Sequence, residues 1–332
     1  MMSSSELYEY HRSMYPKAVF KTQRPAELLE RDFDWMGAFF RKAAPSQNYY
    51  LSVSGGSQKV SYFASIDYYN EKGTLITTGY NRASAHLNLN AQLAKRLDLN
   101  IRVDYTKAHS DAESSWLLTN DAYTKLPWDN PYDTNTGGYV YINSSKRSDN
   151  GLAWYSQDTW NALYNTKYDY SRGDDSNIGA DLQLNWHITD WLTATSTNRF
   201  GQSAGKWVTY YDPRSYNTEY MNGYLGNSLS NGVSFGTTNI LKAAHQWGQH
   251  SVGGMLGWEY GYWRTEYTNA GGSNMPDGVD ALNATTPYNV GGYTIPGASW
   301  AAFAQAQYDY AKDSCERTYR WLIRCRSEER RV

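Results

Sequence analysis

The stretch "NYYLSVSGGSQKVSYFASIDYYNEKG", residues 48–73, decides the fold because two different surfaces alternate along it. After the glycine pair, every second residue is apolar or aromatic, and the residues between are mostly polar. The apolar set is Val60, Tyr62, Ala64, Ile66 and Tyr68. Such alternation is typical of a β-strand with unlike surroundings on its two faces. Either a water-soluble sheet packs the apolar face on a core, or a membrane barrel turns that face to lipid.

Composition excludes several classes of protein. The 332 residues carry a formal net charge of -2, so no basic excess points to nucleic acid. The mean hydropathy is -0.73, and no apolar run approaches the roughly 18 residues of a membrane-spanning helix. This excludes a helical membrane protein and leaves a barrel open, because barrel strands alternate. The 31 Tyr and 13 Trp, against 8 Phe, suit a water–lipid interface or a sugar-binding surface.

Nine segments have strand character. We predict strands at 47–54, 59–70, 80–91, 97–108, 176–187, 191–201, 236–246, 250–267 and 299–310. Globular strands usually have about five or six residues, whereas crossing a bilayer at a tilt takes roughly 9–11. The length of these segments therefore favours an antiparallel, up-and-down transmembrane β-barrel segment.

The connections between these strands alternate between short and long. Short turns are predicted at 55–58, 92–96, 189–190 and 248–249. The other links are a modest loop at 71–79 and long loops at 109–175, 202–235 and 268–298. Outer-membrane barrels have short turns at one end and long loops at the other. The alternation thus favours a barrel over a soluble sandwich.

The two ends of the chain differ from the central region, 47–311, which we assign to a partial barrel. Residues 1–46 are predicted to form a connector with a short helix that Pro25 opens. The apolar stripe of that helix is Leu28, Leu29, Phe33, Met36 and Phe40. Residues 312–332 lose the alternation and hold both Cys, which we expect to be unpaired. An out-of-frame reading explains this aberrant basic tail; the alternative is a genuine basic patch.

No catalytic constellation is visible. The six His are scattered, and the chain has no G-x-S-x-G elbow and no Walker lysine. Asp129, Asp133 and Asn135 lack the EF-hand spacing, which disfavours calcium. We therefore predict no catalytic residue, no cofactor, no metal site and no enzymatic activity.

Aromatic residues of the longest loop are the candidate contacts for a substrate or a partner. They are Trp116, Trp128, Tyr132, Trp154, Tyr155 and Trp160. Their rings could stack on sugars beside Asn and Asp side chains. The alternative is that they pack the loop against itself or against a partner protein. Trp186, Trp191 and Trp258, near strand ends, are interpreted as interfacial girdle residues.

Several segments resemble the SusC/RagA family of TonB-dependent outer-membrane transporters. They are "DFDWMGAFFRKAAPSQNY", "SVSGGS", "NEKG", the return strand with Arg82, "NPYDTNTGGYV" and "SWAAFAQAQYDY". The resemblance covers roughly residues 5–311. It implies a barrel of about 22 strands, closed by a plug that couples to TonB and that this chain lacks.

The resemblance also implies a location, partners and a function. The location is the cell outer membrane, although the chain shows no signal peptide. The implied partners are outer-membrane lipid, a SusD-like surface lipoprotein, TonB through the plug, and a glycan or peptide substrate, with no nucleic acid. The implied function is part of a nutrient-uptake system for polysaccharides or peptides, with this chain inactive alone. Two alternatives stay open: a secreted all-β carbohydrate-binding module, and the non-functional product of a truncated or frame-shifted gene.

Overall fold

A computed structural model describes residues 2–113, 117–133, 136–141, 154–156, 160–215 and 222–310. The main element is one sheet of nine antiparallel strands in sequential order. The strands are β1 Ser46–Gly56, β2 Val60–Lys72, β3 Gly79–Ala94, β4 Leu97–Ala112, β5 Tyr170–His187, β6 Leu192–Tyr211, β7 Tyr224–Trp247, β8 His250–Ser273 and β9 Thr286–Tyr310. The fold class predicted from the alternation is confirmed. The sheet is not closed, because β1 and β9 are not paired with each other.

The connector contains three α-helices and a 3-10 helix. They are α1 Ser4–Met14, α2 Lys17–Gln23, the 3-10 helix Ala26–Glu30 and α3 Trp35–Phe39. Ser3 and Glu6 form a capping box at the start of α1. The prediction of one continuous helix after Pro25 is wrong, since the chain is extended between the 3-10 helix and α3. Asp34 explains the break: its carboxylate accepts a hydrogen bond from Gly37 N at 2.8 Å and so begins a new helix.

The described residues of the β4–β5 loop, which we define as residues 113–169, include two further short helices. They are α4 Leu117–Thr124 and α5 Ala162–Asn165. A single 3-10 turn, Leu282–Ala284, lies between β8 and β9. Within the described ranges, none of the helices combines the length and the apolar character needed to pass through a bilayer.

Strand register places the apolar side chains of the sheet on one face, the apolar face. Leu51 pairs with Ile66, Ile66 with Ala85, Ala85 with Tyr105 and Tyr105 with Ile178. Because directly opposed residues point to the same side of a sheet, these side chains form one row. Leu51 and Ile66 are 66% and 57% exposed, so no element among the described residues covers this row. A soluble sandwich would bury it.

The strands extend further toward the long loops than the sequence predicted. The expected loops 202–235 and 268–298 consist mostly of strand, and only 212–223 and 274–285 connect the strands. These extensions are rich in Ser, Asn and Gly on both faces, as at 226–232, so they lack the alternation on which the prediction depended. Hydrogen-bonded pairing in register, for instance of Lys206 with Leu229, maintains them as strands.

Buried side chains collect at the end of the sheet that carries the long loops, which we call the long-loop end. One cluster joins α3 to the β4–β5 loop through Trp35, Phe39, Trp154 and Leu163. A second joins Leu7 and Leu28 to Trp128. A third lies beside Tyr210 at the end of β6. The packed part of the molecule is therefore this end, and the rest is an open two-faced sheet.

Candidate functional site

The polar face of the sheet, opposite the apolar face, carries hydrogen bonds between neighbouring strands. Arg82 donates to Asp67 at 3.2 Å, and His86 bonds to Asp104 across β3 and β4. Thr195 donates to Asn185 at 3.0 Å across β5 and β6. Such a surface is compatible with a wet passage and not with hydrocarbon.

At the long-loop end the connector docks on the β4–β5 loop. Trp35 Nε1 donates to Leu126 O at 3.0 Å, and Phe33 N donates to Pro127 O at 2.8 Å. The Trp35 ring also meets the Trp154 ring edge-to-face, with centroids 5.9 Å apart. Two segments about a hundred residues apart in sequence thus share one core.

Trp128 is fully buried at this junction. It packs on Leu7 and Leu28, and its ring lies 5.3 Å from the His11 ring. The Arg24 guanidinium stands 5.5 Å from the Trp128 centroid, a cation–π distance. The Trp128 ring, which the sequence predicted as a contact for a substrate or a partner, is therefore covered by the connector.

Asp129, next to Trp128, organises the backbone that bears Tyr155. Its carboxylate accepts hydrogen bonds from Tyr155 N, from Ser156 N at 2.8 Å and from the Ser156 hydroxyl. Burial raises the pKa of Asp129 in spite of these bonds. The residue thus acts as an internal anchor of the loop.

A buried ion pair, Asp121 with Lys125, lies at the C-terminal end of α4. Burial raises the pKa of Asp121 to about 6, against the opposing effects of Lys125 and of the hydrogen bond from Ala162 N. Burial likewise lowers the pKa of Lys125, whose ammonium stands 5.3 Å from the Trp154 ring centroid. Trp154 itself is only 4% exposed. The Trp154 ring packs inside the loop, which was the alternative interpretation of the sequence.

The remaining candidate aromatics are more accessible. Tyr132 is 37% exposed and stacks on Tyr139, with centroids 5.2 Å apart. Tyr155 is half-buried, with Arg24 5.6 Å from its ring centroid. Trp160 is also half-buried, and Trp116 lies outside the described residues. The structure brings Trp128 and Tyr155 together, with centroids 6.1 Å apart; a contact role for any of these residues stays a prediction.

An acidic network at the start of β5 and the end of β6 was not foreseen from the sequence. Asp212 accepts hydrogen bonds from Arg214 Nε at 2.7 Å, Tyr210 OH at 3.0 Å and Gly278 N at 3.2 Å. Its own N–H donates to Asp169 Oδ1 at 2.9 Å. Burial raises the pKa of Asp169 to about 7. At Asp212 burial acts in the same direction, but the bonds from Arg214 and Tyr210 outweigh it and lower that pKa to about 2.

The comparisons with known proteins agree with this architecture. No protein-family model matches the chain. "TonB-dependent receptor P26" of Formosa agariphila is 30% identical over 94 residues, which are 28% of this chain and 9% of that protein. "TonB-dependent receptor SusC" of Bacteroides thetaiotaomicron is 20% identical over 219 residues, which are 62% of this chain and 22% of that protein.

Solved structures show the same fold. The chain from "Structure of the RagAB peptide transporter" superposes with a TM-score of 0.74 and 18% identity, covering 94% of this chain and 38% of that one. The outer membrane transporter YddB from Escherichia coli gives a TM-score of 0.50 and 8% identity, covering 80% and 32%. Parts of this chain are thus similar in sequence to TonB-dependent receptors, and its sheet has the fold of the TonB-dependent transporter barrels.

The chain spans less than a quarter of the length of the curated relatives it matches. The predicted resemblance and the predicted location in the outer membrane are confirmed by these relatives. They are receptors and transporters rather than enzymes, in agreement with the prediction that the chain is not an enzyme.

The fold assigns a different environment to each face of the sheet. The apolar face is the lipid-facing surface, the polar face lines the lumen, and the long-loop end is the external end. Trp186, Trp191 and Trp258 are each about half exposed on or beside the lipid-facing surface. Trp186 and Trp191 lie at the short turn between β5 and β6, where an aromatic girdle is expected.

Proposed function

We propose that the chain forms part of the wall of a TonB-dependent transporter that imports nutrients across the outer membrane. The observation that carries the proposal is the two-faced sheet, which matches RagAB over 94% of the chain. An exposed aliphatic row such as Leu51–Ile66 is stable in lipid and would aggregate in water. The sequence matches to TonB-dependent receptors point to the same process.

The finer proposal is that glycans or peptides are imported together with a SusD-like surface lipoprotein. SusC is among the sequence matches, and the matched RagAB structures are described as a peptide importer. Energy would come through TonB acting on a plug outside this sheet. The accessible aromatics of the external end, Tyr132, Tyr155 and Trp160, would contribute contacts to the substrate or to the lipoprotein.

The domain division stays part of the proposal. The helices of the connector end at Phe39 and β1 begins at Ser46, which supports a boundary near residue 46. β9 ends at Tyr310, one residue before the proposed end of the barrel segment at 311. The aberrant basic tail, 312–332, lies outside the described residues. Translation of its codons in the other two frames tests whether alternating strand sequence resumes.

A deletion strain tests the import function. We expect deletion of the gene to reduce growth on some members of a panel of oligosaccharides and peptides as sole nutrient, and the full gene supplied in trans to restore it. A tagged chain purified from outer membranes should bring down a surface lipoprotein. Unchanged growth and uptake on every panel member would contradict the import proposal. A chain that stays monomeric in buffer without detergent would instead favour the secreted carbohydrate-binding module.

A further inference from the structure

A groove crosses the polar face of the sheet, which lines the lumen, from β4 to β8. Its volume is about 390 Å³, which lies within the range of ligand pockets. Along it runs one row of directly opposed residues: Asp104, Gly179, Gly201, Ser234 and Trp263. Neighbouring strands lie about 4.8 Å apart, so this row extends over roughly 19 Å. The groove is therefore elongated and suits a chain-like ligand.

The floor of the groove is bare backbone. Gly179 and Gly201 oppose each other in β5 and β6, and Gly232 lines the groove in β7. A Cβ on Gly179 would meet no described atom within 4 Å, so the space above this residue is open. Glycine weakens a strand and often marks a place where a ligand or another backbone approaches closely. The three glycines thus leave room for a ligand directly against the wall.

Trp263 forms the β8 end of the groove. Its ring lies over Gly297 of β9, where a Cβ would collide with the indole. Because only glycine fits beneath it, the ring rests on the backbone of β9 and turns its other face to the lumen. The residue is 36% exposed. Trp263 therefore presents a flat aromatic face to anything that lies in the groove.

Hydroxyl groups lie beside this ring. Ser234 Oγ leans over Gly201, and Ser203 Oγ leans over Gly232. Both serines are exposed, and neither has a side-chain hydrogen bond to another described residue. Thr265 of β8 also lines the groove. Since a hydroxyl both donates and accepts, this part of the wall matches a ligand that is itself rich in hydroxyl groups.

The charges in and around the groove are balanced. Among the described residues that line it, Asp104 is the ionisable one, and its Oδ1 bonds to His86. Arg102 and Arg199 lie one row closer to the short turns, with Asp181 between them in the register. Two carboxylates thus accompany two guanidinium groups. This balance favours an uncharged ligand over an anionic one.

The groove is a poor site for an extended peptide. Each strand from β4 to β8 is paired with a neighbour on both sides. A peptide therefore cannot join the sheet as a further strand and use its backbone hydrogen bonds. The contacts that the groove does offer are stacking on an aromatic ring and hydrogen bonds to side-chain hydroxyls, and these suit a sugar.

We propose that the groove binds a neutral oligosaccharide. One sugar ring stacks on Trp263, and the hydroxyls of the next rings bond to Ser234 and Ser203. The Asp104 carboxylate accepts a sugar hydroxyl at the β4 end. This inference rests on the proposed import function and names its substrate class as a neutral glycan, bound along the lumenal wall.

The test measures binding to the full chain in tetraethylene glycol monooctyl ether, a detergent without a sugar head group. Saturation-transfer NMR titrations give Kd for maltotetraose, cellotetraose and mannotetraose, and N-acetyl-tetraalanine amide is the uncharged peptide probe. We expect at least one tetrasaccharide to bind, and the peptide to bind at least tenfold more weakly. Trp263→Ala should raise the Kd of the bound sugar about tenfold, because the stacking face is lost.

Gly179→Val tests the floor of the groove independently. The new side chain fills the open space without a collision, and a β-branched residue suits a strand. Sugar binding should therefore be lost while the sheet is kept. Gly253→Val is the matched control, because Gly253 is a strand glycine of the same face that also has room for a Cβ and lies outside the groove. It should leave the Kd unchanged.

Three results would overturn the proposal. They are no binding of any of the three tetrasaccharides, binding of the peptide as tight as that of the sugar, and an unchanged Kd in folded Trp263→Ala and Gly179→Val. The import function is judged separately by the growth of the deletion strain. A loss of growth together with a groove that binds no sugar would therefore reject the groove and leave import standing.

Discussion

Lys125, the residue after α4, places its Nζ 3.4 Å from Oδ1 of Asp121 in that helix, and the two side chains are 0% and 1% exposed. Asp121 Oδ2 also accepts a hydrogen bond from Ala162 N at 2.9 Å, which ties α4 to α5. Taking two charges out of water is costly, and only the presence of both partners offsets that cost. Each partner therefore keeps the other from becoming an uncompensated buried charge in the β4–β5 loop.

Removal of one partner should weaken the loop far more than removal of both. We expect Lys125→Met to lower the local free energy of unfolding by about 3–5 kcal/mol, because it leaves a carboxylate buried without its cation. The double variant Asp121→Leu with Lys125→Met should recover part of the loss. Hydrogen exchange of the amides of 117–125 and 160–166 measures the effect.

The control for this comparison is Arg12→Gln, which removes an ion pair with Glu9 of 2.7 Å on the surface of α1. Because both side chains are more than half exposed, the change should cost no more than about 1 kcal/mol. Equal exchange in Lys125→Met and Arg12→Gln would contradict a stabilising role for the buried pair.

The network of Asp169 and Asp212 predicts a pH dependence of the external end. Burial raises the pKa of Asp169 to about 7, above its usual value near 3.8. The folded state thus binds more protons than the unfolded state between about pH 4 and pH 7, so stability falls as pH rises through this window. Asp212, whose pKa is lowered to about 2, has the opposite effect, but only between about pH 2 and pH 4.

Limited proteolysis of the segment 160–215 at pH 5 and pH 7.5, with a protease active at both, checks this expectation. Cleavage should be slower at pH 5. Asp169→Asn should remove most of the difference, because an amide does not titrate, whereas the exposed Asp277→Asn should preserve it. Faster cleavage at pH 5 in the unsubstituted chain would show that another group dominates.

The strands show which structural features can be predicted from alternation of apolar and polar residues. From Ile178 to Trp186 the alternation identified the strand, its exposed face and its antiparallel neighbours, because each face has uniform surroundings. Beyond the bilayer both faces of the sheet contact water. Residues 224–232 therefore lack the alternation of apolar and polar residues, although they belong to β7. Strand existence was therefore predictable, and strand length at the external end was not.

The external loops were less predictable for a different reason. Trp128 is buried by Leu7 and Leu28, which lie about a hundred residues earlier. The sequence around a tryptophan does not indicate which distant segment will cover its amphipathic ring. The spacing of Asp121 and Lys125 on one helical turn was a visible signal, but only the packing of Trp154 shows that the pair is buried.

Arg41 should control the conformation of the β2–β3 loop. Its guanidinium donates to Gly73 O at 2.6 Å and to Leu75 O at 2.8 Å, and it also bonds to Ile76 O. Hydrogen bonds to a charged donor contribute about 1.5–3 kcal/mol each. We expect Arg41→Ala to increase the hydrogen exchange of 73–78 at least tenfold. The neighbouring exposed Lys42→Ala should leave it unchanged; a loop unaffected by Arg41→Ala would show that the backbone pairing suffices.

The orientation of the sheet predicts opposite tolerance at two adjacent residues of β8. Leu256 is 62% exposed on the lipid-facing surface, and Met255, which precedes it, points to the lumen. An arginine in the midplane of the lipid-facing surface costs about 2–4 kcal/mol, whereas an arginine in a wet lumen retains its hydration. We therefore expect Leu256→Arg to reduce the fraction of chain that resists protease in lipid vesicles, and Met255→Arg to leave it near the unsubstituted value. The reverse ranking would mean that the apolar rows face inward, and the assignment of lipid to that side of the sheet would fail.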